Sequence, residues 1–187
     1  MRIIPRIVNR KIRAALAACA VLAAAAGMWV GFASPALALG PGEVCMFNAP
    51  TGAELGFGVN AGHVGWGYLI GGTSTWTFGA TESASYHWHT SGSYSTMLAD
   101  FRNADYGHSA HYYTQYKCAY TPTSSVGAAN TAVANGEGNG YFALTNNCLT
   151  KSVETFNAYY GFGLYWGGYE APNNYFNNLG WYGPYAL

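Results

Sequence analysis

Residues 141–161, YFALTNNCLTKSVETFNAYYG, constrain the fold of this chain more than any other stretch. A short apolar, aromatic run (Tyr141, Phe142, Ala143, Leu144) suits a buried strand. Two asparagines follow, and Asn is a strong helix N-cap because its side-chain oxygen accepts an orphan backbone N–H. Leu149, Val153, Phe156 and Tyr160 then recur at helical spacing, and Gly161 stands where a left-handed C-cap would end the helix. The pattern predicts strand, turn and helix, with Cys148 in the helix's first turn. A helix N-terminus carries partial positive charge and unpaired N–H groups, which favour a thiolate. Lys151, three residues on, lies on the same side of the helix and is expected to push the thiol pKa down as well. Cys148 sits roughly 100° from Leu149 on the helical wheel, at the edge of the apolar stripe. That placement suits a nucleophile; the plainer role is a small buried hydrophobe or half of a disulfide.

The redox setting of that cysteine depends on where the chain goes. Arg2, Arg6, Arg10, Lys11 and Arg13 form a basic flank, residues 14–33 an apolar run, and Ala36-Leu37-Ala38 a small-residue cleavage site. Together they describe a secretory signal peptide over residues 1–38, leaving a single domain over 39–187 and no stable membrane anchor after cleavage. An uncleaved anchor is the alternative, because the apolar run is long. Leu16-Ala17-Ala18-Cys19 has the form of a lipoprotein box, but almost no apolar run precedes it, and it is rejected. Without the leader, Arg102, Lys117 and Lys151 face eight acidic residues, a formal charge of −5. Nucleic-acid binding needs a basic stripe to displace counterions, and this chain has none.

Cys45, Cys118 and Cys148 survive cleavage, an odd count that leaves one thiol over in an oxidising compartment. Cys118 lies in a strand-like run, HYYTQYKCAY, and a Cys45–Cys118 bridge would tie down the start of the mature chain. That pairing leaves Cys148 free; a Cys118–Cys148 bridge is the alternative.

Residues 39–62 read as a Gly-rich lead-in loop with one short strand at 44–47. Residues 63–70 then alternate: Val64, Trp66, Tyr68 and Ile70 are bulky, whereas His63, Gly65 and Gly67 begin a mostly small face. Residues 74–82 repeat the design with Trp76 and Phe78. A three-residue loop, Gly71-Gly72-Thr73, would set Trp66 opposite Phe78, Tyr68 opposite Trp76 and Thr81 across from His63. The small face then accepts a close-packed helix, and His63 at its end becomes the partner for Cys148. Residues 83–111 read as mostly loop, with a short helix at 93–101, and hold His87, His89, His108 and His111. Their spacing matches no metal-ligand pattern, so neither metal nor cofactor is expected. A helix is predicted over 123–134, capped by Thr123 or Ser124, and one helical turn over 173–179.

The order His-bearing hairpin, then strand, Asn-Cys and helix, resembles the circularly permuted branch of the papain-like superfamily. That branch includes permuted NlpC-type peptidases and lecithin–retinol acyltransferase-like proteins. Gly62-His63-Val64-Gly65 matches the start of their hairpin, and Asn147-Cys148 matches their nucleophile block, within residues 63–82 and 141–161. The family's acyltransferases carry a second His across the hairpin and continue Cys-Glu-His-Phe, where this chain has Leu149-Thr150-Lys151. The third catalytic member is therefore open among Glu82, Thr81, His87 and His89. The resemblance implies an α+β domain, a small antiparallel sheet with the Cys148 helix packed on one face. It also implies a secreted cysteine hydrolase or acyl transferase acting on an amide or ester, with cell-wall peptide as the substrate class. Sixteen tyrosines in the mature part support a rival: a non-catalytic Tyr/Trp-rich extracellular module that binds glycan or a protein partner.

Overall fold

The two alternating runs pair as strands β2 (His63–Leu69) and β3 (Thr75–Thr81), but in a register one residue away from the expected one. Trp66 lies opposite Gly79, Gly67 opposite Phe78 and Leu69 opposite Trp76. The cause is the turn. Ile70 N–H bonds Thr75 O at 2.8 Å and Thr73 N–H closes back onto Ile70 O at 3.0 Å, so four residues, 71–74, form the loop. One extra loop residue moves every partner by one place, and a residue's partner lies on its own face of the sheet. Gly65 and Gly67 therefore share a face with Trp76, Phe78 and Ala80, while Val64, Trp66 and Tyr68 share the other with Thr77, Gly79 and Thr81.

The structure is a computed structural model that describes residues 40–53, 60–103, 112–166 and 170–187. The predicted leader and its cleavage site, the 16–19 box, His108 and His111 lie outside the described residues. The described residues fall in one compact unit, Ala36–Leu187. Among them, no helix is long and apolar enough to cross a membrane.

Six strands make one antiparallel sheet in the order β4-β3-β2-β1-β5-β6, which together with four helices gives an α+β domain. Strand β1 (Gly42–Ala49), expected as a short strand at 44–47 within a lead-in loop, is longer than that, central and almost wholly buried. Its neighbours are β2 and β5 (Gln115–Thr121). Strand β4 (His87–Ser93) occupies a stretch expected to be loop, and the exposed β6 (Tyr182–Ala186) forms the far edge. The helices are α1 (Tyr94–Asn103), α2 (Val126–Gly138), α3 (Cys148–Tyr160) and α4 (Pro172–Asn178). Helix α2 runs beyond its predicted end, and its N-cap is Ser125.

Both faces of the sheet are covered, which is why β1 and β2 are buried on both sides. One core joins Val44, Met46, Val64, Trp66 and Tyr68 to residues of α2, α3 and α4. The opposite core joins Phe47, Trp76, Phe78 and Trp88 to Met97 and Phe101 of α1 and to Tyr113. The glycine face thus receives α1, contrary to the expectation that it would hold the Cys148 helix. A Cβ on Gly65 would meet the Phe101 ring, and one on Gly67 the Met97 sulfur. Helix α3 packs on the bulky face instead, because the one-place shift leaves Gly79 and two threonines opposite Trp66 and its neighbours.

Cys45 and Cys118 are directly opposite on β1 and β5 and form a disulfide, S–S 2.05 Å, as expected. Such a bond fits an oxidising compartment.

Candidate active site

Helix α3 begins as its sequence predicts. The Asn147 side chain accepts N–H bonds from Leu149 (2.9 Å) and Thr150 (3.2 Å), and Thr150 Oγ1 accepts the Asn147 N–H at 2.6 Å. This reciprocal cap fixes the first turn and hence Cys148. Gly161 closes the other end in the left-handed conformation, φ 79°. The segment before the cap is not the buried strand its composition suggests. Phe142 and Asn146 pair as an isolated antiparallel bridge around a turn at 143–145, leaving Phe142 60 % and Leu144 46 % exposed. Asn146 holds the loop by donating its amide to Asn139 O and Gly140 O. The bridge brings Tyr141 back beside Asn147 and Cys148.

Cys148 is free and buried. Its thiol lies beside the His63 ring and the Val64 backbone N–H, close enough for both to shift its pKa. Cys148 and His63 come from opposite sides of the sheet and meet at the start of β2. That start is pinned by α4. Asn173 donates its side-chain amide to Pro50 O at 2.8 Å, and its backbone N–H to Ala61 O at 2.9 Å. Gly62 takes φ 80° against this side chain, a conformation and a space that only glycine offers.

The observed register, continued past Trp66–Gly79, sets His63 opposite Glu82. The contact is direct: His63 Nε2 lies 3.0 Å from Glu82 Oε2, and both side chains are almost fully buried. Thr81 projects to the other face. His87 and His89 are exposed on β4, and His89 Nδ1 lies 2.7 Å from Glu137 Oε1, so neither is drawn to His63.

Burial by itself lowers the pKa of His63 and raises that of Cys148. Their mutual attraction and hydrogen bond override it, with Glu82 adding to the pull on His63. His63 is held well above its ordinary value and Cys148 below its own, the pattern of an imidazolium–thiolate pair. Lys151 contributes nothing to this, contrary to expectation. Its ammonium turns away to Gly136 O and Asn139 Oδ1, capping the C-terminus of α2.

Three site residues escape sequence reasoning. The half-buried Tyr141 places its hydroxyl beside the Cys148 thiol and backbone N–H, and burial is the main cause of its raised pKa. Trp88 Nε1–H donates to Glu82 Oε1 at 2.8 Å, and Tyr113 O–H donates to the same oxygen at 3.4 Å. Trp88 carried a signal in the alternation of His87-Trp88-His89, which sends the indole to the face opposite both imidazoles. Tyr113 carried none. Glu43, Cys45 and Cys118 stand close enough to be considered as metal ligands, but both sulfurs are spent in the disulfide. No protein-family model, curated protein or solved structure matches this chain.

Proposed function

We propose that this chain is a thiol-dependent hydrolase or acyl transferase acting on an amide or ester carbonyl, built like the permuted papain-like enzymes it resembles. The observation that carries the proposal is the chain of contacts Cys148–His63–Glu82, assembled from helix α3, the start of β2 and the end of β3. In this mechanism His63 takes the thiol proton and the Cys148 sulfur attacks the carbonyl carbon. The C–S bond forms as the carbonyl π pair moves to oxygen. Collapse of that oxyanion expels the amine or alcohol, which leaves with the proton from His63. Water or another acceptor, deprotonated by His63, then attacks the thioester and releases the acyl group, returning the thiol. Glu82 orients the imidazole and balances its charge.

The Cys148 N–H, at the positive end of α3, is the donor an oxyanion would meet. Tyr141 oxygen now occupies that donor, and Cys148 is only 3 % exposed. Substrate entry therefore requires Tyr141 to give way, its oxygen ceding the N–H to the acyl oxygen. By the analogy with permuted NlpC-type peptidases, and given the leader-like N-terminus, the substrate class is cell-wall peptide.

The test is acylation by an activated ester such as p-nitrophenyl acetate. The expected result is a burst of nitrophenol with an acetyl group mapped to Cys148, abolished in Cys148→Ser. Acetyl groups only on lysine or tyrosine would refute the mechanism. One feature favours the rival, a glycan- or protein-binding module: Tyr120 and Tyr182, 70 % and 61 % exposed, lie 5.9 Å apart on β5 and β6.

A further inference from the structure

Glu82 presents two oxygens to two different environments. Oε2 lies against His63 Nε2 at 3.0 Å, whereas Oε1 receives the Trp88 indole N–H at 2.8 Å and the Tyr113 hydroxyl at 3.4 Å. A carboxylate can rotate about its last bond and exchange its oxygens. Two fixed donors on one oxygen remove that freedom and leave the other against His63 Nε2. We propose that Trp88 and Tyr113 are positioning residues for the Cys148–His63 pair, clamping Oε1 of Glu82 so that Oε2 stays on His63. The proposal rests on the thiol mechanism above and extends it to two residues beyond Cys148, His63 and Glu82; the Tyr113 ring also stands edge-on to His63, centroids 6.0 Å apart, a contact that Tyr113→Phe keeps.

The clamp is built into the sheet and is not an accident of one rotamer. Trp88 lies opposite Ala80 on the neighbouring strand, two residues before Glu82, so its indole shares Glu82's face. Tyr113 comes from the segment entering β5 and is 2 % exposed. Both rings rest on Phe101 of α1, with centroids 5.3 Å from Trp88 and 4.8 Å from Tyr113, and Phe101 is itself stacked on Phe47 at 3.7 Å. The core on the α1 side of the sheet therefore holds the carboxylate that orients the imidazole, while the other core holds the thiol. Donors to a buried carboxylate also favour its charged form, which is the form that stabilises imidazolium. Among the described residues, titratable groups that meet Glu82 or its partners include His63, Cys148, Tyr86, Tyr113 and Tyr141.

The readout is the pH profile of Cys148 alkylation by iodoacetamide in the full chain. A merely structural Trp88 would not move its alkaline limb, where the imidazolium gives up its proton. Replacing Trp88 by β-(3-benzothienyl)alanine keeps the bicyclic volume and removes only the N–H. Tyr113→Phe removes only the hydroxyl. Trp88→Phe is the coarser companion, and the two conservative variants stand if it fails to fold. The expected result is an alkaline limb, where the imidazolium beside the thiolate loses its proton, about one pH unit lower for the benzothienyl variant, a tenfold weaker hold on that proton. Tyr113→Phe, losing the longer bond, should shift the limb less in the same direction. Glu82→Gln should shift it as far or further, and the benzothienyl substitution should add nothing in that background. A wild-type acid limb far below an ordinary thiol, with the alkaline limb of the benzothienyl variant unmoved, would overturn the clamp and leave the thiol mechanism standing. An ordinary thiol titration in the wild type would overturn both.

Discussion

Gly65→Ala should be among the most damaging single-methyl additions to this sheet. A Cβ on Gly65 would lie 2.5 Å from Cε1 and 2.9 Å from Cζ of Phe101. Carbon atoms in good contact stand about 3.5–4.0 Å apart, so the ring must retreat by about 1 Å. It has little room to do so. Phe101 is fully buried, stacked on Phe47 at 3.7 Å and flanked by Trp88 and Tyr113. Overpacking of this kind costs about 1–3 kcal/mol. For a domain of this size each kcal/mol lowers Tm by roughly 2–4 °C, so the expected fall is roughly 2–12 °C. Gly67→Ala meets the end of the flexible Met97 side chain at the same distance and should cost less. Differential scanning calorimetry of both variants, with Phe101→Leu added to Gly65→Ala to relieve the clash, gives the measurement. A Gly65→Ala protein with unchanged Tm, or one costing less than Gly67→Ala, would refute the packing of α1 on the glycine face.

Lys151→Met should leave the pH profile of Cys148 alkylation in place while lowering stability, because its ammonium caps α2 and does not touch the thiol; a shifted profile with intact stability would contradict this. Stability itself should carry the signature of the His63–Cys148 pair. A raised imidazole pKa contributes stability that is lost as pH rises past its folded value, and a lowered thiol pKa contributes stability that is lost as pH falls past its own. Above both 6.5 and the folded thiol's lowered pKa, and below 9.0, the unfolded chain holds a neutral imidazole and a thiol, so folding to the ion pair moves the proton without uptake or release. The wild-type excess over Cys148→Ser in urea unfolding should therefore be flat across that window and decline on both sides. A monotonic dependence through the window would show that the pair is not ionised.

Local chemistry was legible in the sequence, and register was not. The Asn147 cap, the Gly161 terminus and the pair of strands each follow from a few neighbouring residues whose propensities agree, whereas the Cys45–Cys118 bridge spans 73 residues and rests on the odd cysteine count, with Cys118–Cys148 the alternative. The hairpin loop depends on which of two turn closures the Gly71–Ser74 stretch adopts, and that choice of one residue decided which face met which helix. It also decided the third member of the site, since the observed loop brings Glu82, and the shorter one Thr81, across from His63. The run at 141–144 is apolar enough for a strand, but Asn146 bonds back to Phe142 and turns it into an exposed loop. Lys151 misled for a similar reason: helical spacing gives the side on which a chain leaves, whereas its long stem found the α2 carbonyls.

The central claim is that His63 and Cys148 share a proton as one unit, and the pH dependence of Cys148 alkylation tests it most directly. Iodoacetamide labelling, mapped to the Cys148 peptide, would be followed from acid to alkaline pH for the wild type and His63→Ala, with circular dichroism checking that the buried His63 can be removed without unfolding the domain. The account predicts a wild-type acid limb well below about 8.5, the value of a free thiol, and its return to that value in His63→Ala. Superimposable profiles from two folded proteins would contradict it.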